Sequence, residues 1–570
     1  MEKLKPKLFS VMKTYTKEQF IKDVISGIVV AIVALPLSIA LAIASGVGPE
    51  QGIYTAIIAG FLISFFGGSR VQIAGPTAAF ATIVAGIALQ ENGMSKLFWA
   101  TIIAGVLLIL MGLLKFGSLI KFIPYTITTG FTAGIAVTIA VGQLKDFFGL
   151  TYPEGLVLIE TVEKAEAVVH NIGTFNWQAF LVGMICLAIL IVWPFAWNKI
   201  AKATEKSNKV VKAIVKVFVS IPGSLIAVVV GVLMVKLGGM NVKTIGDLYT
   251  ISNSLPKFVM PTFDLQLIKG IIPDAFTIAI LAAIESLLSC VVADSMVNSK
   301  HRSNMELVAQ GIGNIGSSLF GGIPATGAIA RTAANVKSGG RTPIAGMVHA
   351  IVLLLILVVL MPYASWIPMP TIAAILLQVA YNMSGWREIV TLLKSAPKSD
   401  ILVLLVTFFL TVIFDLVVAI EVGMVLAAIL FMKRMSDVTD VQSWKYIDDE
   451  NDKDSIDLKV VPANTRVYEL SGPLFFGVAD KIMNISLDGD HNCLVLRMRS
   501  VNAIDATAMR NLDKIRHACK KKGMTLILSH VNEQPMNVMK KSGFYDKVGA
   551  ENFCPHIDDA LKRAESLAEK

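Results

Sequence analysis

An arginine, Arg331, follows the run 321-GGIPATGAIA-330 between two long apolar stretches. Pro324 and three glycines oppose a continuous helix there, so the run predicts an extended entry and a helix starting near Gly327 or Ala328. A second run, 67-GGSRVQIAGPTAAFATIV-84, reads the same way: extended to about Ala74, then helical from Pro76, with proline at a favoured first helical position. The first turn of a helix presents unpaired amides and a partial positive charge, which attract an anion. Two such starts facing each other make an anion clamp that needs no lysine. Gly75, Ala78, Gly327 and Ala328 are small enough to let a ligand reach the backbone, and Thr77 adds a hydroxyl. Arg331, about one turn into the second helix, adds a full positive charge. The blander alternative is a tight crossing of small residues, with Arg331 reaching toward the cytoplasmic interface.

A second ionisable group stands in an apolar run, Glu285 in 279-AILAAIESLLSCVVADS-295. A carboxylate in such a span is costly and marks a proton or cation site, or the partner of a base. Low dielectric favours its neutral form, so Glu285 is read as a group that carries a proton with the anion. Ser289, one turn on, is read as its support; a structural ion pair between Glu285 and Arg331 is the alternative. Asp415 and Glu421 flank the turn before the last expected span and are assigned to structure or gating.

These groups need elements to hold them, and the composition says which kind. The chain is 54% hydrophobic and 16% charged, with a mean hydropathy of +0.67. A soluble chain carries roughly a quarter charged residues. Runs such as 26-SGIVVAIVALPLSIALAIASGVG-48 and 344-IAGMVHAIVLLLILVVLMPY-363 are long enough to cross a bilayer as helices. The chain therefore reads as a polytopic α-helical membrane protein, with about fourteen candidate spans between residues 24 and 432. No signal peptide is evident in the basic, amphipathic start. The net charge of +9 is accounted for by lysines at the inner face and does not imply nucleic acid. Cys186, Cys290, Cys493, Cys519 and Cys554 have neither disulfide nor zinc spacing.

Residues 1–23 form a lysine-rich arm, and a second lysine cluster spans 199–216, so both are placed in the cytoplasm. The acidic stretch 145–175 is placed outside, and an even number of spans puts both termini inside. Residues 31-AIVALPLSIAL-41 echo 279-AILAAIESLLS-289, and 66-FGG-68 returns as 320-FGG-322, both about 250 positions on. That offset divides the spans into seven plus seven, an inverted repeat over about 24–240 and 270–432 of the 24–432 transport domain, with its binding site between the halves. A polar linker over 433–463 leads to strand-like and helical runs over 464–566, read as a small α/β domain.

The run 35-LPLSIALAIASGVGPEQGIYTAII-58, the segment 320-FGGIPATGAIARTAANVKSGGRT-342 and the C-terminal domain together resemble the sulfate permease (SulP) family of anion transporters, which includes prestin. The resemblance implies core and gate domains, a homodimer in the cell membrane, and a cytoplasmic STAS domain over 464–566. It implies an anion between the starts of the third and tenth spans, at Gly75, Thr77, Ala78, Gly327, Ala328 and Arg331, with Pro36 and Ser38 of the first span nearby. Sodium-coupled bicarbonate members typically carry Asp where Glu285 stands and Thr where Ile329 stands. Proton-coupled sulfate and dicarboxylate members more often carry Glu and the arginine of the 329-IARTA-333 pattern. The expectation is therefore proton symport of sulfate or a C4-dicarboxylate. In 504-IDATAM-509, Ala506 stands where soluble relatives of the STAS domain carry a phosphorylatable serine, leaving Thr507 as a weaker candidate.

The rival readings are a sodium-coupled bicarbonate symporter, an uncoupled exchanger or channel, a sensor whose STAS domain is the output, and a nucleobase permease. Nothing in the sequence suggests an enzyme or calls for a cofactor: there is no nucleophile–base pairing, metal-ligand spacing or phosphate loop.

Overall fold

In the computed structural model, residues 4–118, 124–153, 158, 160–204, 215, 221–249, 254–261, 264–414, 416–443, 459–476, 485–487 and 491–568 are described. The chain divides into two compact units, Met1–Met424 and Val425–Lys570.

The first unit is helical. Its first half holds α1 (Lys17–Ala44), α2 (Pro49–Phe66), a short strand β1 (Ala74–Gly75), α3 (Ala81–Ala88), α4 (Gly93–Leu113), α5 (Tyr125–Phe148), α6 (Trp177–Ala203) and α7 (Gly223–Lys236). Its second half holds α8 (Leu265–Val297), α9 (Ser303–Leu319), β2 (Thr326–Gly327), α10 (Ile329–Lys337), α11 (Ile344–Ala364), α12 (Met369–Ser384) and α13 (Lys398–Ile413); α14 (Leu416–Val438) follows. Among the described residues, seven helices are long and apolar enough to cross a membrane by themselves. Two shorter apolar helical segments, Ala78–Ala88 and Gly223–Lys236, lie among the described residues as well.

Local chemistry sets the ends of these helices. Thr16 caps α1 by accepting the Gln19 amide at 3.2 Å. Pro49 opens α2. Gly149 and Gly385 stop α5 and α12 in left-handed conformation, at φ 62° and 54°.

Packing sorts the helices into two bundles. α1 and α2 pack against α11, while α4 packs against α8 and α9, and α2 against α9. In the other bundle α5 packs against α12 and α13, and α6 against α7 and α12. The bundles meet where α1 touches α7 and α12. Small residues bring backbones together, as membrane helices without a hydrophobic drive between them require. A Cβ on Gly311 of α9 would lie 2.4 Å from the Gly105 carbonyl of α4.

The second unit contains a five-stranded sheet in the order β3 (Asp440–Ser443), β4 (Thr465–Ser471), β5 (Cys493–Ser500), β6 (Thr525–Ser529), β7 (Phe553–Cys554). β3 is antiparallel to β4, and the other pairs are parallel. The first six residues of β5 are all buried, as expected of a central strand covered on both faces. One face carries α15 (Ala506–Lys521) and α16 (Glu533–Lys541), through Leu512, Ile515 and Met539. The other carries α17 (Ile557–Ala568), through Ile557, Ala560 and Ala564. In the stretch expected to be a linker, α14 runs on to Val438 and 440–443 forms β3. Residues 444–458 lie outside the described residues, as does Asp415.

Candidate functional site

The two interrupted runs meet. β1 and β2 pair antiparallel, with Ala74 opposite Gly327 and Gly75 opposite Thr326. The Ala328 amide extends the ladder by donating to the Ile73 carbonyl at 2.9 Å. Because the strands are antiparallel, the helices that follow them leave in opposite directions with their starts side by side. Thr77 and Ala328 are the extended residues immediately before each helical segment. Among the described residues no side chain caps either start. The amides of Ala78, Ala79, Ile329, Ala330 and Arg331 find no acceptor among the described residues. Thr77 and Ala328 are half-buried, while Ile329 and Ala330 are exposed, so the crossing is open to a ligand.

The first helix does not begin at Pro76. The chain is extended through Thr77, turns as a 3₁₀ helix over Ala78–Phe80, and becomes α-helical only from Ala81. Pairing of Ala74 and Gly75 with β2 keeps this backbone extended past the proline.

Glu285 reaches the crossing from α8, where its Oε2 accepts a hydrogen bond from Thr77 Oγ1 at 2.9 Å. Its neighbour Ser286 braces β2, accepting the Gly327 amide at 3.1 Å and bonding Thr326 Oγ1 at 2.7 Å. Ser289 does not support Glu285; its hydroxyl donates to Thr332 Oγ1 at 3.5 Å. The helical step from 285 to 289 points it at α10 instead.

Arg331 is buried, 1% exposed. Its Nη2 donates to the Pro76 carbonyl at 2.6 Å. A Cβ on Gly75 would fall 2.3 Å from Arg331 Nη1 and 3.5 Å from Ala56 Cα. The guanidinium therefore packs against β1 at Gly75, bracing the extended strand. No ion pair joins it to Glu285 or to another carboxylate among the described residues.

The two first-span residues sit differently. Pro36 lines an apolar cavity of about 310 Å³ with Leu225 and Val228 of α7 and Met361 of α11; no residue of the crossing borders it. Ser38 is buried, and its Oγ has no protein partner among the described residues.

Sequence reasoning missed the polar frame behind the crossing. Glu306 of α9 is fully buried and accepts from the amides of Gly68 at 2.8 Å and Ser69 at 3.1 Å. It also accepts from Gln72 Nε2 at 2.8 Å and Gln310 Nε2 at 2.9 Å. A Cβ on Gly327 would strike Gln72, at 2.3 Å from Nε2. Asn314 holds the Ala325 amide and carbonyl at 2.8 and 2.9 Å, and Asn335 holds the Val71 carbonyl at 2.8 Å. The available signal was Glu306 itself, the sole charge in the helix 303–319.

In the second unit, Asp505 caps α15 by accepting the Ala508 amide at 2.8 Å. Ala506 and Thr507 are exposed at that helix start. The five cysteines are buried and free.

Two helix starts without a capping side chain among the described residues, paired through short strands inside an apolar helical bundle, define a membrane transport protein. A sequence model of the sulfate permease family matches residues 20–407, and one of the STAS domain matches 455–560. The chain belongs to the sulfate permease family and ends in a STAS domain. It is 40% identical to the "Putative sulfate transporter YvdB" of Bacillus subtilis, covering 96% of this chain and 98% of that one. It is 31% identical to the "Bicarbonate transporter BicA" of Picosynechococcus sp., covering 95% and 94%. The fold matches that of murine Solute Carrier 26 family member A9 in the inward-facing state. The TM-score is 0.84 at 18% identity, over 99% of this chain and 94% of that one. The transmembrane domain of a cyanobacterial BicA matches with a TM-score of 0.59 at 28% identity, over 72% and 98%.

Proposed function

We propose that the protein is a secondary active transporter that carries sulfate, or a C4-dicarboxylate, inward with a proton. The observation that carries this reading is the pair of uncapped helix starts, whose free amides converge beside Thr77 and Ala328. An oxyanion presents several acceptor oxygens to such donors and gains from both helix dipoles. Arg331 adds positive charge from behind β1. Glu285 is the proton carrier: it touches Thr77 at the anion site, and no base pairs with it among the described residues. Protonation of Glu285 removes its negative charge beside the entering anion, and that proton leaves with the anion on the other side. Alternating access follows from movement of the α5–α7 and α12–α13 bundle against the bundle that holds the crossing. The protein works as a homodimer in the plasma membrane with both termini in the cytoplasm, as the lysine distribution supports for the termini.

Bicarbonate is the second reading, favoured by the likeness to BicA. It is the smaller oxyanion and suits the same amides.

The test is uptake of labelled sulfate, fumarate and bicarbonate into proteoliposomes, with and without an inward proton gradient. Wild type is expected to accumulate one of them only when the gradient is present. Glu285→Gln is expected to lose accumulation while keeping exchange of that anion. Accumulation by the variant equal to that of wild type would remove Glu285 from coupling.

A further inference from the structure

Behind the crossing lies a buried seam that the transport reading does not use. It runs along one face of α2, past Ala56, Gly60 and Ser64, which are one turn apart. At the first, a Cβ on Gly75 would lie 3.5 Å from Ala56 Cα and would strike Arg331 Nη1, so Arg331 lies against Gly75. At the second, a Cβ on Gly60 would fall 3.3 Å from the Ala74 carbonyl and 4.0 Å from Cδ2 of His349, a residue of α11. At the third, a Cβ on Gly346, one turn before His349, would strike Ser64 Oγ. His349 is fully buried, and the Ala74 carbonyl that faces Gly60 beside its ring belongs to the residue just before Gly75, against which Arg331 lies.

Every polar side-chain tip in this seam is under-used. Nε and Nη1 of Arg331, Nδ1 and Nε2 of His349, and Oγ of Ser64 have no hydrogen-bond partner among the described residues. Five such atoms in one seam are more than a folded chain leaves bare, because each one unsatisfied is costly. Arg331 offers only donors, whereas a neutral imidazole offers one donor and one acceptor. A buried water, which typically makes about three hydrogen bonds, would join the two.

We propose that His349 is a positioning residue for Arg331. In its neutral form it accepts, through buried water, from the guanidinium edge that Pro76 leaves free. The link holds the guanidinium flat against β1 and so fixes the strand from which the anion-binding amides follow. Ser64 closes the far end of the same hydrated seam.

The proposal rests on the anion reading of the crossing in one of its two tests only. The full-length protein, purified in detergent, is taken through the cycle Arg331→Met, His349→Leu and the double variant, with His349→Gln alongside. The first readout is thermal unfolding, which needs no substrate. The two single variants are expected to lower the midpoint, and the double variant to lower it by less than their sum, because each one alone strands the other's partner. Additive shifts would overturn the proposal whether or not any anion binds. The second readout is equilibrium binding of labelled sulfate and bicarbonate. His349→Leu is expected to weaken binding roughly tenfold, the loss of a bond to a charged group. His349→Gln, which keeps a donor and an acceptor, is expected to recover most of it. A Leu variant that binds as wild type does would also overturn the proposal. If His349→Leu yields no folded protein, the Gln variant decides: a folded Gln variant supports the hydrogen-bonding role, and a Gln variant that also fails to fold assigns His349 to packing. Wild type that binds neither anion, with a non-additive unfolding cycle, overturns the substrate reading and leaves the role of His349 standing.

Discussion

Gly75 is where a single methyl group has the most to say. Its Cβ would lie 2.3 Å from Arg331 Nη1, so Gly75→Ala must push the guanidinium off the Pro76 carbonyl. The side-chain end can move, so the fold survives. Sulfate binding is expected to fall about tenfold, the scale of one charge-assisted bond, as measured by scintillation proximity in detergent; unchanged affinity would show that the guanidinium does not need that seat. Glu306 is the opposite case. It accepts four hydrogen bonds and touches no proposed ligand position. Glu306→Gln turns one acceptor into a donor facing donors, at a cost of about 1.5–3 kcal/mol, read as a lower thermal midpoint. Arg331 and Glu285 were legible because a charge in an apolar run announces itself. Glu306 carries the same signal, but its partners at 68, 69 and 72 lie more than two hundred positions away, and only the fold brings them together.

At the scale of elements, the crossing depends on helix starts with no side chain of their own to satisfy them. Ala328→Asp would supply one: Asp is among the best N-caps, so α10 should form at least as well. Its carboxylate would then occupy the donors that the anion needs and repel an incoming oxyanion. Uptake is expected to vanish while the melting temperature holds or rises; retained uptake would remove this helix start from the site. Both interruptions were legible from glycine, proline and small residues. Their register was not. Proline tolerates the first turn of a helix but equally well an extended chain, and strand pairing with a distant segment decided between them. Ser289 was misplaced for a related reason. Spacing along one helix says which residues share a face, not which neighbour that face meets.

For the whole molecule, every residue of the proposed anion site lies within Met1–Met424. A chain ending at residue 440 is therefore expected to bind sulfate with the affinity of the full-length protein, even if transport slows. Loss of binding in a folded truncation would draw the STAS domain into the site. The membrane character and the α/β nature of the C-terminal domain were legible from composition and patterning. The division of helices between two bundles was not, since most helix faces are apolar and hydropathy alone cannot say which of them touch.

The pairing of Ala74 and Gly75 with Thr326 and Gly327 also bears on how the protein is made. While the ribosome is still hundreds of residues short of Thr326, β1 has been synthesised and its partner has not. A peptide edge in hydrocarbon has no water to turn to. The nascent first half must therefore keep that edge hydrated or sheltered until the second half arrives. Biogenesis thus has a late, long-range step, and the proposed anion site does not exist before it.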